Sequence, residues 1–334
     1  MPIDPAQAHF IQTHEADHGA LRDELRAGLA QHPARVAPKF FYDALGSRLF
    51  DAITELAEYY PTRTEAAIFA QHAADMARAI APGSVLIDLG AGSCAKAARL
   101  FAPLQPAAYV AVDISVDYLR ASLQALQQGH PGLPMLGLGQ DFSSALALPE
   151  AAQRWLATQG AAQAPRSVFY PGSSIGNFTP PEALTLLRQA HALCAAGGAG
   201  GGLLIGVDRV KPKAVLEPAY DDALGVTAAF NRNLLLHVNR VLGTDFDPAQ
   251  WDHVGLFDEA QSRIEMHLQA RSAHTVRWPQ GERHFAAGER IHTENSYKWK
   301  PDAFVTLLSE AGFGPAMHWS DAQGWFSVFW APAG

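Results

Sequence analysis

The sequence predicts an α/β chain built on a doubly wound, mostly parallel sheet and carrying a smaller α+β unit, and three observations predict it. Val85-Leu-Ile-Asp-Leu-Gly-Ala-Gly-Ser93 is an apolar strand that runs into a Gly-x-Gly turn. Acids close the next two strands, Asp113 after Tyr109-Val-Ala-Val and Asp141 in Leu136-Gly-Leu-Gly-Gln-Asp141-Phe142. From Lys211 the strand–helix alternation stops and another texture begins. Strands and helices alternating through short links make a parallel sheet covered by helices, with ligands at the carboxyl ends of its strands.

Each element has a local reason. Residues 64–80 have helical spacing, with Ile68, Met76 and Ile80 available for one face, and stop before the Pro82-Gly83 breaker. Gly90 and Gly92 let the backbone turn tightly enough for a ligand to rest against it, and an acid after the following strand can hold two ribose hydroxyls. Residues 103–108 link the next helix to the strand ending in Asp113, and residues 115–128 form a further helix. In the helix over 180–196, Thr179 is the N-cap, Pro180 the first helical residue and Glu182 the capping-box partner. The run Gly197 to Gly202 is expected as a flexible turn before the strand Leu203-Leu-Ile-Gly-Val-Asp208. Past Lys211, residues 219–233 are expected as a helix, and 263–268 and 291–299 as half-exposed strands. A helix over 301–312 and an antiparallel hairpin of 316–319 and 325–330 around Asp321-Ala-Gln-Gly324 complete the chain.

Composition narrows the function classes. The 334 residues, 48% of them hydrophobic, suffice for one large domain or two ordinary ones. A net charge of −8, a pI near 5.9 and the lack of any long basic run argue against a nucleic-acid surface. Two cysteines make no disulfide framework, and no apolar run has membrane-spanning length. The expectation is a cytoplasmic monomer acting on a small molecule, without nucleic acid or membrane as partner.

Two motifs point elsewhere and are set aside. His14-Glu-Ala-Asp-His18 is a literal H-E-x-x-H, but Gly19 follows it and no third zinc ligand can be placed, so no metal is expected. Gly172-Ser-Ser-Ile-Gly176 is a G-x-S-x-G after the apolar strand Ser167-Val-Phe-Tyr170. A nucleophile elbow leads straight into a helix, whereas here the helix waits until Pro180, and no acid and base can be assigned.

The glycine turn has Ala95 in the third place of a dinucleotide fingerprint, which excludes nothing by itself. The order of strand, glycine turn, helix with Lys96, strand ending in Asp113 and strand ending in Asp141-Phe142 resembles the class I S-adenosylmethionine-dependent methyltransferases. That resemblance implies a Rossmann-like, seven-stranded, mostly parallel sheet with a C-terminal antiparallel hairpin. It also implies S-adenosylmethionine as cofactor, with Gly90 and Gly92 passing the methionine part, Lys96 meeting its carboxylate, Asp113 the ribose, and Asp141 and Phe142 the adenine.

A narrower resemblance covers nearly the whole chain. Phe41-Tyr-Asp-Ala-Leu-Gly-Ser-Arg-Leu-Phe-Asp51, Glu58-Tyr-Tyr-Pro-Thr-Arg63, Gly172-Ser-Ser-Ile-Gly-Asn177, residues 220–233 and Glu294-Asn-Ser-Tyr-Lys298 together resemble the L-histidine Nα-methyltransferases of ergothioneine biosynthesis. Members transfer three methyl groups in turn to the α-nitrogen of histidine, giving hercynine. The resemblance implies a cofactor domain over 63–209 and 299–334 and a substrate domain over 12–62 and 210–298. Carried over residue by residue, it places Asn177 and Tyr220 at the substrate carboxylate, Gly172 and Tyr42 beside the amine, Tyr59, Glu294 and Ser296 at the imidazole, and Met266 against its ring.

Departures from the family pattern are few. Asn295 and Tyr297 replace a valine and a cysteine of actinobacterial members, at alternate strand positions expected to face away from substrate, and Ser93 stands where threonine commonly follows the second glycine. Three other readings compete with histidine methylation: an α-N-methyltransferase of another amino acid, such as a tryptophan derivative, a serine hydrolase, or a non-catalytic cofactor-binding module. The Glu294–Ser296 pair argues against the first of these.

Overall fold

The structure is a computed structural model and describes residues 8–12, 18–142 and 145–334. In chain order, β1 (His9–Gln12) precedes α1 (His18–Ala30), β2 (Ala34–Arg35), α2 (Ala44–Thr54) and α3 (Tyr60–Ala79). The alternating part follows as β3 (Val85–Leu89), α4 (Ala95–Leu104), β4 (Ala108–Asp113), α5 (Val116–Gly129), β5 (Met135–Gly139), α6 (Glu150–Thr158), β6 (Pro165–Tyr170), α7 (Pro180–Ala195) and β7 (Gly198–Asp208). Next come α8 (Lys213–Leu216), α9 (Val226–Leu242), β8 (Trp251–Asp258), β9 (Arg263–Ala270), β10 (His274–Trp278), β11 (Gly281–Phe285) and β12 (Arg290–Tyr297). The chain ends through α10 (Pro301–Glu310), β13 (Met317–Ser320) and β14 (Phe326–Pro332). It divides into two compact units, one from the described parts of 1–14 with 61–210 and 299–334, the other from 15–60 and 211–298.

The first unit is built on a sheet of order β1-β5-β4-β3-β6-β7-β14-β13, parallel except where β14 runs against β7 and β13 against β14. Strand order reverses at β3, so the carboxyl ends of β3, β4 and β6 flank the switch point where open α/β sheets bind ligands. Every residue of β3, β4 and β5 is buried, as expected for parallel strands covered on both faces. The fold is that of a class I methyltransferase, with one correction to the seven-strand expectation. Short β1 adds an eighth strand alongside β5, and Phe10 covers Gly137, where a Cβ would meet its ring at 2.4 Å. A four-residue strand has too little periodicity to read from sequence.

The glycine run is a second correction. Gly198 already pairs with Pro165, and Gly202 pairs with Ser167 on one side and Pro332 on the other. A Cβ would come within 2.2 Å of Gln163 O at Gly198, 2.6 Å of Arg166 O at Gly201 and 2.5 Å of Ala331 O at Gly202. These glycines buy close approach of three strands rather than flexibility. The capping box behaves as expected, the Thr179 N–H and hydroxyl donating to Glu182 Oε2 at 2.8 and 2.6 Å.

The second unit has a four-stranded sheet, β2-β12-β9-β8, and the hairpin β10-β11. Helix α9 lies against this sheet, where Asn231 Nδ2 donates to His267 O at 3.0 Å and Arg232 Nε to Trp251 O at 2.9 Å. On another side it meets the Phe41 ring, stacked on Phe230 at 4.5 Å, and Asn233 Nδ2 donates to Asp43 Oδ1 at 2.8 Å. The helix expected from 219 starts later, at Val226. Gly225 adopts φ +76°, and Asp222 accepts from the N–H groups of Val226 (3.0 Å) and Thr227 (2.7 Å), which caps the helix there. Of the H-E-x-x-H motif, residues 14–17 and the His18 side chain lie outside the described residues.

Candidate active site

At the end of β3, the N–H groups of Gly90 and Ala91 both donate to Val112 O, at 2.9 and 3.1 Å, folding the chain over the end of β4. Gly90 (φ +69°) and Gly92 (φ +50°) occupy the left-handed region this turn requires. Asp113 then fastens the turn: Oδ2 accepts from Gly92 N–H and Oδ1 from Ser115 N–H, both at 2.8 Å. Each oxygen retains lone-pair capacity for a hydroxyl. Burial pushes the Asp113 carboxyl up, and the N–H groups around it oppose that shift. A Cβ on Gly90 would meet Phe142 Cζ at 4.0 Å, so the half-buried Phe142 ring stands over the turn, edge-on to Tyr170 at 5.7 Å, with Asp141 beside it. A bare turn between an anchored acid and an aromatic ring is a cradle that fits the ribose and adenine of a nucleoside cofactor.

Two acids around this turn were not singled out from sequence. Asp88, fully enclosed in β3, accepts from Tyr109 Oη at 2.7 Å, and burial pushes its carboxyl up to about 7. Its signal was an acid inside the apolar run Val85-Leu-Ile-Asp-Leu89. Glu65, on α3 and 1% exposed, accepts from Lys96 Nζ and from the N–H of Gly172, both at 2.7 Å. Only tertiary contacts mark it, since its sequence neighbours are ordinary helix formers.

The loop after β6 carries Gly172 (φ +78°) and a 3-10 turn, Ser174–Asn177, that leaves Asn177 half-buried at its end. Ser173 Oγ accepts from Asp208 N–H at 2.9 Å, and Ser174 Oγ donates to Pro171 O at 3.3 Å. The central serine of the G-x-S-x-G motif is therefore occupied with its own loop, and helix α7 begins only at Pro180.

In the second unit, β12 presents Glu294 and Ser296 on one face at strand period, with Lys298 two residues on. The Tyr220 and Ser296 hydroxyls share a hydrogen bond of 2.7 Å, and Lys298 Nζ donates to both oxygens at 2.8 Å. Met266 on β9 stands directly opposite Glu294 in the antiparallel register, so the two share a face. Glu294, Ser296, Met266, Tyr220 and Lys298 are all buried. Burial pushes the Glu294 carboxyl up to about 8, with the Lys298 charge opposing it. Tyr59 is edge-on to Tyr220 at 6.3 Å and to Phe50 at 6.2 Å, and half-buried Tyr42 is edge-on to Phe50 and Phe230, both at 5.8 Å. The alternate residues point to other partners: Asn295 Oδ1 accepts from His292 at 2.9 Å, and Tyr297 Oη accepts from Arg263 at 2.6 Å. Lys298 was quoted in the sequence motif without a role.

Residues 21–333 match the family of histidine-specific, S-adenosylmethionine-dependent methyltransferases. The chain belongs to that family. The histidine N-alpha-methyltransferase of Mycolicibacterium smegmatis is 40% identical over 317 residues, covering 92% of this chain and 94% of the relative. The histidine N-alpha-methyltransferase of Mycobacterium tuberculosis is 37% identical over 321 residues, covering 94% and 95%. Ergothioneine biosynthesis protein 1 of Neurospora crassa is 30% identical over 295 residues, 86% of this chain and 32% of that protein. As in its family, the methyl donor is S-adenosylmethionine, and no helix of the described residues is long and apolar enough to cross a membrane.

Proposed function

We propose that this methyltransferase trimethylates the α-nitrogen of L-histidine to hercynine, the first step of ergothioneine biosynthesis. The observation that carries the reading is the buried Glu294 carboxyl beside the Tyr220–Ser296–Lys298 network. An imidazole has two ring nitrogens to satisfy, and an acid with neighbouring hydroxyls offers partners for both. An apolar analogue would leave these buried groups unpaired, so phenylalanine-like substrates are strongly rejected. Met266, opposite Glu294, supplies an apolar wall for the ring, and Tyr59 completes the imidazole readers.

Asn177 and Tyr220 are proposed for the substrate carboxylate, and Gly172 and Tyr42 for the amine. On the cofactor side, Asp113 would hold the ribose, Asp141 and Phe142 the adenine, Lys96 the methionine carboxylate, and Gly90 and Gly92 the backbone passage. The unit over 61–210 and 299–334 is thus the cofactor domain, and that over 15–60 and 211–298 the main substrate domain. The chain is proposed to act as a cytoplasmic monomer on a small molecule, without nucleic acid.

The bound cofactor supplies a methyl group already activated by a sulfonium. The protein's task is to align a neutral amine and exclude water. The α-amino group must lose a proton before each transfer; its reference pKa of about 7.7–8.0 in peptides is raised in a free amino acid by the adjacent carboxylate, so a carbonyl or tyrosine oxygen beside the amine would guide each proton out. Tyrosine faces near the quaternary product would contribute roughly 0.5–2 kcal/mol.

The test is mass spectrometry of the protein incubated with S-adenosylmethionine and each of the twenty amino acids. A three-methyl mass shift on histidine alone is the expected result, and methylation of a different amino acid overturns the imidazole assignment.

A further inference from the structure

We infer that Glu65 is a positioning residue for methyl transfer, holding the cofactor lysine Lys96 and the Gly172 turn in one geometry. Its two oxygens have separate tasks, Oε2 receiving the Lys96 ammonium and Oε1 the Gly172 N–H, each at 2.7 Å. The surroundings are cut to fit this carboxylate. A Cβ on Gly206 of β7 would lie 2.0 Å from Glu65 Oε1, and a Cβ on Gly172 would lie 3.0 Å from Lys96 Nζ. Both neighbours are bare where a side chain would push the ion pair apart.

Stability alone does not account for the arrangement. A buried ion pair is a weak stabilising device, because desolvation offsets its attraction, and an apolar contact would anchor α3 as well. What the pair supplies is direction. Lys96 is 34% exposed while Glu65 is 1% exposed, so a buried acid pins the ammonium from the protein side while the lysine side chain stays partly open to solvent. An ammonium has three donors, which leaves capacity for an incoming carboxylate. The same acid sets the peptide of Gly172, whose left-handed φ of +78° begins the loop leading to Asn177. The inference about Lys96 rests on its reading as the cofactor lysine, and that about Gly172 on the proposed substrate site.

The test compares wild type with Glu65→Gln, Lys96→Met, the double variant and Glu65→Asp. Titration calorimetry measures S-adenosylhomocysteine affinity, and steady-state kinetics measures turnover of histidine. Glutamine has one acceptor oxygen for two donors, so its NH₂ must face one of them. Glu65→Gln is expected to weaken S-adenosylhomocysteine binding at least tenfold and lower kcat about a hundredfold, with partial recovery in Glu65→Asp. Because Glu65 acts on the cofactor through Lys96, the double variant should bind no more weakly than the worse single variant. Gly206→Ala, which displaces the carboxylate but keeps its charge, should reproduce the binding loss and covers the case in which Glu65→Gln does not fold. Wild-type S-adenosylhomocysteine affinity in folded Glu65→Gln, or in folded Gly206→Ala, overturns the inference, as do losses that multiply in the double variant. The binding readout is independent of the amino acid methylated, so a failure of the histidine reading leaves it interpretable.

Discussion

The hydroxyls of Tyr220 and Ser296 lie 2.7 Å apart, joining the chain segment before α9 to the last long strand of the second unit's sheet. Lys298 donates to both, so the pair is held from beneath by a buried ammonium. Tyr220→Phe and Ser296→Ala should each raise KM for histidine by about 10- to 100-fold, the cost of leaving buried polar groups unmatched. S-adenosylhomocysteine affinity should stay within about twofold. Because the residues share one bond, the double variant should cost less than the product of the singles. Full multiplicativity in steady-state kinetics would show that they act separately.

Glu294 predicts a pH signature. Its carboxyl is raised from the ordinary 4.5 to about 8, chiefly by burial. Between those values the unfolded chain releases a proton that the folded chain keeps, so stability is full below pH 4.5, falls as pH rises through the window and levels off above 8. Glu294→Gln has no proton to lose. The unfolding free energy of ligand-free Glu294→Gln relative to wild type should therefore grow from pH 5 to 8, by roughly 3–4 kcal/mol, as read by denaturant titration at each pH. A difference independent of pH would mean that Glu294 ionises normally.

Asp113→Asn keeps the shape of the side chain but not its two acceptors. One of the N–H groups of Gly92 and Ser115 would then face an NH₂. S-adenosylhomocysteine affinity should fall at least tenfold, about 1.4 kcal/mol, in titration calorimetry. Unchanged affinity would remove Asp113 from the ribose site.

Gly201→Ala and Gly202→Ala test the glycine run as strand. Each added methyl would sit about one bond too close to a neighbouring backbone carbonyl, at 2.6 Å from Arg166 O and 2.5 Å from Ala331 O. Each should destabilise by about 1–3 kcal/mol, the usual cost of overpacking, in urea unfolding. A flexible turn would instead be stabilised by alanine.

The geometry of the proposed cofactor site was legible because it is local: Gly90, Gly92 and Asp113 are set by a turn and by the ends of consecutive strands, and each leaves a trace in pattern and spacing. The alternation of Glu294 and Ser296 was legible for the same reason, since strand period puts both on one face. Gly198 to Gly202 misled because glycine is used both for flexible turns and for close strand packing, and only the neighbours at 2.2–2.6 Å distinguish them. The start of α9 was misplaced because Asp222 and the left-handed Gly225 override the helical composition of the segment around them.

By itself the sequence determined the alternating sheet, the glycine turn, the acids that close its strands and the family to which the motifs belong. These follow from backbone sterics and periodicity, which act over a few residues. Tertiary structure alone decided that Glu65 meets Lys96 and Gly172, that Lys298 underlies Tyr220 and Ser296, and that burial lifts Glu294 to about 8. The physical reason is that hydrogen bonds between distant residues and the desolvation of a charge depend on what folding brings near, and no local pattern in the chain encodes them.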